Sequence, residues 1–533
     1  MDGRTSQRFA RQPVIARNVV ATSQPLASQA GAAAFARGGN AIDAALAAAV
    51  TLTVVEPTMN GIGSDAFALI WDGKRLQGLN ASGRSPAAWT PKRFAGLAQM
   101  PVLGIDSVTV PGAVSAWVAL SERYGAIPFG DLFVDAIRHA RDGFPVSPVI
   151  ARQWFEQSKV LQAQPGFNAF MPKGRTPGAG ELWQFKDQAR TLEEIASSRG
   201  ASFYEGRLAE AIVEFSSAHG GVMSAADLRQ HRCAWVEPID VGFRGQAVHE
   251  IPPNGQGIAA LMALAILEEL PYDATAPGSP ARMHLEIEAM RMAFADLYAY
   301  VADPAHMRTT AAQLLDRGYL RQRAKGIDPR RAGSYPAGQP PSGGTVYLCT
   351  ADSAGRMVSF IQSNYKGFGS GVVVPGTGIS LHNRGFGFVT TASHPNEVAG
   401  GKLPLHSIIP AFMTQGSRPA MSFGVMGGNM QAQGHMQMVL RRVTEGLDPQ
   451  ACVDTPRWRI DDAGVLTVEP SVPSSVIEGL EAMGHRPRVA PLNNLDFGSA
   501  QMVVRLDEKV VGNDEPVYAA GSDHRRDGQA VGR

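Results

Sequence analysis

Three stretches of this 533-residue chain read as strand, tight turn, strand, and they limit the fold more than any other feature. "AFALIW" and "RLQGLNAS" alternate on either side of Asp72-Gly73. "TVYLCTADSAGRMVSFIQS" and "QMVVRLDEKVVG" repeat the pattern later. Period-two alternation across such turns predicts antiparallel hairpins. Helical segments lie between them. Residues 27–55 predict two Ala-rich helices broken at Gly38-Gly39-Asn40, the second mostly apolar and therefore buried. "PGAVSAWVALSERYG", "RTLEEIASSRG" and "RLAEAIVEFSSAHGG" end in glycine, as helix C-termini do. "GQGIAALMALAILEEL", "ARMHLEIEAMRMAFADLYAYV" and "GGNMQAQGHMQMVLRRVTEG" complete the set. Hairpin-built sheets with helices grouped between them predict an α/β chain of stacked layers, with helices outside two antiparallel sheets.

Composition narrows the function classes. Net charge is +1, which gives no basic face for nucleic acid and no acidic tail. No apolar run reaches the ~18 residues of a membrane span. The N-terminal stretch lacks the apolar core of a signal peptide. Cys233, Cys349 and Cys452 are scattered without a CxxC, so neither a disulfide framework nor a zinc site is expected, and the chain reads as cytoplasmic. G-x-S-x-G, Walker A and HExxH motifs are absent. No cofactor, metal, nucleic acid or membrane partner is expected.

One segment stands apart. A Pro/Gly/Ser-rich linker, about 326–344, runs into a strand whose first residue is Thr345. On the residues alone, an ordinary strand threonine is one reading. The other is a nucleophile. A threonine hydroxyl becomes reactive when a base lies within reach, and a free α-amine on the same residue supplies one. That requires a cut between Gly344 and Thr345, where two glycines leave the carbonyl open to attack. Gly427 and Gly428, in "SFGVMGGNMQAQG", sit between a predicted strand and a predicted helix. They form either a plain tight turn or a pair of N–H groups aimed at a developing oxyanion.

Taken in order, "GGNAIDAALAAAVTLTVVEPTMNGIGSDAF", "VTVPGAVSAW", "FYEGRLAEAI", "IPPNGQG", "GGTVYLCTADSAGRMVSFIQSNYKGFGSG", "KLPLHSIIPA" and "GVMGGNMQAQGH" resemble the γ-glutamyltransferase family of N-terminal-nucleophile hydrolases over nearly the whole chain. The resemblance implies an αββα sandwich made as a precursor. Cleavage at Gly344–Thr345 would give chains 1–344 and 345–533 that share one core as a heterodimer, with further homo-oligomerisation left open. It also implies Thr345 as nucleophile, Ser363 as the hydroxyl that holds it, and Gly427 and Gly428 as the oxyanion pair. Asn364 and Tyr365, in the same stretch as Ser363, fall among the substrate-binding positions.

The pocket residues depart from the family pattern. Arg384 and Gly387 stand where a glutamine and an ammonium-binding aspartate are expected. An arginine there repels an ammonium and suits a carboxylate. The carboxylate-binding arginine is displaced to Arg84, which is either a pocket residue or a surface ion pair. His406 and Ser407 replace a serine pair, and Val346 replaces a hydroxyl residue. A short segment between Asn383 and His406 predicts an open site that favours hydrolysis over transfer. The departures resemble the family's acylase and oxamate amidohydrolase branches. The expected substrate is therefore a small acidic acyl amide: γ-glutamyl-like, oxamate-like or glutaryl-like. A true glutathione hydrolase or transferase, and an uncut, catalytically silent binding protein, remain the other readings at this stage.

Overall fold

A computed structural model describes residues 11–335, 344–461, 463–492, 494–506 and 515–533. Its centre is a pair of seven-stranded antiparallel sheets. One runs Val14–Ala16, Tyr518–Ser522, Ala500–Arg505, Arg418–Val425, Ala411–Gln415, Gln246–Glu250, Ile239–Phe243. The other runs Gln529–Gly532, Val19–Thr22, Gly344–Ala351, Met357–Tyr365, Asp65–Trp71, Leu76–Ala81, Ala234–Val236. The two predicted hairpins within the second sheet form as read, pairing Asp65–Trp71 with Leu76–Ala81 and Gly344–Ala351 with Met357–Tyr365. Ala500–Arg505 is a strand too, but most of its predicted partner lies at 507–514, outside the described residues.

Side-chain alternation sorts the central strands into two cores. Val346, Leu348, Val358 and Phe360 face helices Pro25–Ala36 and Ala41–Val55. Tyr347, Cys349, Met357 and Ile361 belong to the core that includes the other sheet. Ser359 Oγ donates to the Phe423 carbonyl at 3.3 Å, which ties the sheets together. They approach closely because residue 424 is glycine: a Cβ there would lie 2.4 Å from the Tyr347 ring. Helices Ile258–Glu268, Pro280–Tyr300 and Met430–Thr444 bury their apolar residues in the core that the first sheet shares. The architecture is the expected αββα stack.

Helix Ala41–Val55 is buried at all fifteen positions, as an all-apolar helix must be. Asn40 caps it, and Asp43 returns the bond to the Asn40 N–H. No helix among the described residues is long and apolar enough to cross a membrane. Cys233, Cys349 and Cys452 are free thiols. The linker expected at 326–344 is only partly loop-like in its bonding. Residues 336–343 lie outside the described residues, but the stretch before them is tied down by buried groups.

Candidate active site

Period-two alternation puts Thr345, Ser363 and Tyr365 on the face between the sheets. Thr345 is the second residue of the central strand and sits at an irregularity in its register with the neighbouring strand. Its Oγ1 donates to Ser363 Oγ at 3.3 Å and accepts from Gln431 Nε2 at 3.2 Å. Ser363 Oγ also accepts from the Tyr365 N–H at 2.7 Å. Gln431 is held in turn, because its Oε1 accepts the Ile409 N–H at 3.0 Å. The threonine oxygen is thus fixed between a hydroxyl and an amide rather than left to rotate. Thr345 has no exposed surface.

Gln431 lies in the first turn of helix Met430–Thr444, three residues beyond Gly428. The Gly427-Gly428 turn feeds that helix from strand Arg418–Val425. Both glycines have positive φ, 118° and 63°, a region that disfavours any side chain. No hydrogen bond among the described residues takes up either glycine N–H. The Gly428 carbonyl accepts from Gln256 Nε2 at 2.8 Å, so the turn is fixed from behind while its N–H groups remain available.

Arg384 is wholly buried. Its guanidinium carbon lies 4.4 Å over the Tyr365 ring, and Nη1 donates to Ser407 Oγ at 2.7 Å. Nε and Nη2 have no hydrogen-bond partner among the described residues. Burial draws its pKa down to about 10, so the group remains cationic at neutral pH. Two charged donors buried without partners are costly unless something anionic binds them.

A buried carboxylate balances this charge. Asp65 accepts the Gly112 N–H at 2.9 Å and His406 Nε2–H at 3.0 Å, and His382 Nε2 lies 3.5 Å away. Burial alone would raise the Asp65 pKa. The His382 and His406 imidazoles outweigh it and hold the carboxyl far below the usual range. The Ile408 N–H donates to His406 Nδ1, which fixes the tautomer that faces Asp65. Burial, reinforced by the Arg384 charge, lowers the His406 pKa to about 3.

An unfolded histidine titrates near ~6.5, so between about pH 6.5 and pH 3 the unfolded chain binds more protons at residue 406 than the folded one. The contribution of His406 to stability is whole above that window and is lost as the pH falls through it. The Asp65 contribution is lost only below about pH 4. Thermal melts of the wild type should fall steadily from pH 6.5 to 4, and His406→Gln should flatten the slope. Parallel slopes would contradict this assignment.

Two sequence expectations meet a different arrangement. Arg84 does not join the Thr345 cluster. Its side chain is 55% exposed and pairs with Asp303 at 3.0 Å, the surface ion pair. Asn364 points to the helix-facing side of its strand, where Ser64 and Ser380 take up its amide. Within the short segment 384–405, Phe386, Phe388 and Val398 pack with Trp89, Phe94 and Tyr365. Sequence reasoning missed Asp65, His382, Gln256 and Gln431. Gln431 had a local signal, because it sits in the first turn after the Gly-Gly pair.

Similarity to known proteins agrees with this geometry. The family model for gamma-glutamyltranspeptidase matches residues 27–533. The chain is 35% identical over 526 residues to the glutathione hydrolase-like YwrD proenzyme of Bacillus subtilis, covering 97% of this chain and 98% of that protein. It is 33% identical over 524 residues to the oxamate amidohydrolase proenzyme of Klebsiella pneumoniae, covering 95% and 97%. The crystal structure of cephalosporin acylase from Bacillus halodurans superposes with a TM-score of 0.92 at 45% identity, covering 100% of this chain and 99% of that one. Extended along the whole chain, these matches place it in the gamma-glutamyltranspeptidase family.

Proposed function

We propose that this protein is a self-processed N-terminal-threonine amidohydrolase that hydrolyses the amide of a small acyl group bearing a carboxylate and no α-ammonium. The observation that carries the reading is Arg384, a buried cation stacked on Tyr365 beside the threonine cluster, with two nitrogens that have no partner among the described residues. It offers a carboxylate a charge-assisted pair of bonds and repels an ammonium. Relatives named proenzymes support a cut precursor. Oxamate, the substrate in the name of one of them, is itself an amide with a carboxylate and no α-amine.

Thr345 Oγ adds to the Gly344 carbonyl carbon, the Gly344–Thr345 C–N bond breaks, and the hydroxyl proton ends on the released nitrogen. Water then opens the ester, leaving a Gly344 carboxylate and a Thr345 with free amine and hydroxyl. That amine, with a pKa near ~7.7–8.0, is partly neutral at physiological pH and serves as the base. In turnover it takes the Oγ proton as Oγ attacks the substrate amide, then passes it to the leaving amine. Water hydrolyses the acyl-enzyme. Ser363 orients Oγ, and the Gly427 and Gly428 N–H groups receive the oxyanion. The two resulting chains, 1–344 and 345–533, remain one heterodimer because the central sheet contains strands from both.

A panel of matched anilides tests the acyl preference. Glutaryl-p-nitroanilide should turn over at least about tenfold faster, by kcat/KM, than γ-glutamyl-p-nitroanilide, since misplacing one charge costs ~1.4 kcal/mol or more. Robust γ-glutamyl transfer to glycylglycine would instead support a true γ-glutamyltransferase.

A further inference from the structure

Two buried glutamines tie the segment beside Arg384 to the Gly427-Gly428 turn. That segment, 403–410, carries Ser407, the partner of Arg384. It lies outside the strands, with one isolated bridge between His406 and Gly255. No continuous ladder sets its place, so a few discrete bonds must do so. The His406 N–H donates to the Asn254 carbonyl at 2.8 Å, and the Gln256 N–H donates to the His406 carbonyl at 3.0 Å.

The Gln256 side chain reaches further. Its Nε2 donates to the Ser407 carbonyl at 2.5 Å and to the Gly428 carbonyl at 2.8 Å. One nitrogen thus pins two backbone carbonyls, one beside Arg384 and one in the glycine turn. Gln431 makes a second link. Its Oε1 accepts the Ile409 N–H at 3.0 Å, and its Nε2 donates to Thr345 Oγ1 at 3.2 Å. The Gln431 N–H also donates to the Gly428 carbonyl, at 3.2 Å. The Ser407 segment, the glycine turn and the threonine oxygen therefore form one bonded frame. Both glutamine side chains are shielded from water, which would otherwise compete for these bonds.

We propose that Gln256 is a positioning residue that determines specificity: a strut that fixes the span between the Arg384 carboxylate anchor and the oxyanion turn, and so selects the length of the acyl chain. This rests on the proposed roles of Arg384 and of Gly427 and Gly428. The ligand class is the monoamide of a dicarboxylic acid of one chain length. A chain one methylene too long or too short seats its carboxylate or its scissile carbonyl, not both. Misplacing the carbonyl by about 1 Å costs ~10²-fold in rate. Gln256 bonds to backbone carbonyls rather than to the reacting oxygen, so it acts through the groups it holds.

The test measures kcat and KM for the mono-p-nitroanilides of oxalic, malonic, succinic, glutaric and adipic acids, which lengthen by one methylene at a time. The wild type should show one optimum, with kcat/KM at least about tenfold lower on its neighbours in the series. Gln256→Met keeps the length and removes the amide. It should cut that ratio to about threefold or less, chiefly through kcat on the best substrate. Gln256→Asn retracts the amide by one methylene and should flatten the series in the same way, which keeps the test intact where the methionine variant fails to fold. A loss spread evenly over the series, with its ratios unchanged, would make Gln256 purely structural and overturn the strut. A wild type that treats all five lengths alike would also overturn the strut, leaving the carboxylate reading in place. A wild type that hydrolyses none of the five would overturn that reading, and the strut with it.

Discussion

Thr345→Ala should leave one full-length chain and remove turnover, with kcat falling at least about 10⁴-fold. Both effects follow from one oxygen. Cutting needs Oγ to attack the preceding carbonyl, and turnover needs the same Oγ together with the amine that the cut releases. The fold should survive. Thr345 packs between Ser363 and Gln431, and losing its hydroxyl removes two hydrogen bonds, each of ~1 kcal/mol net. A melting curve close to wild type, beside an uncut and inactive chain, is the expected combination. Gel, kinetics and melt on the same preparation check it. Cutting at a normal rate in the alanine variant would remove Thr345 from the maturation step.

Arg384→Met should separate substrate recognition from chemistry. The arginine is buried and only one of its side-chain nitrogens has a hydrogen-bond partner among the described residues, so an apolar side chain of similar length removes two unsatisfied donors together with the positive charge that faces Asp65. Stability should change little. On a carboxylate-bearing acyl amide, kcat/KM should drop about 10²–10³-fold, equivalent to ~3–4 kcal/mol of lost charge-assisted bonding. On an uncharged acyl amide of the same length the loss should be much smaller. Cutting should proceed, because the glycine carbonyl at the cut carries no carboxylate for Arg384 to hold. An equal loss on charged and uncharged substrates would make Arg384 a structural residue.

The sequence carried the layers well because their signals are local. Alternation across Asp72-Gly73, and again around Ser353-Ala354-Gly355, needs only a dozen or so residues to be seen. The same period-two rule also contained the answer for Asn364: one residue from Ser363, it has to face the opposite side of its strand. The rest of the site is assembled from distant parts of the chain. Asp65 meets His406 across 341 positions, and Gln431 meets Thr345 across 86. No periodicity encodes such contacts. Arg84 illustrates the converse, because register in a motif does not say which way a long side chain turns. Here it turns toward Asp303 and solvent. Chain length between Asn383 and His406 was legible, but the aromatic packing of Phe386 and Phe388 against Trp89 was not.

The central claim is that this chain makes its own N-terminal threonine. The most direct measurement is the intact mass and N-terminal sequence of the fragments in freshly purified protein, followed over time without added protease. Two products in equal amounts are expected, residues 1–344 and residues 345–533, the second beginning at Thr345 with a free amine. Activity should rise in step with their appearance. A chain that stays whole while hydrolysing amides at full rate, or that splits at any other bond, would contradict it.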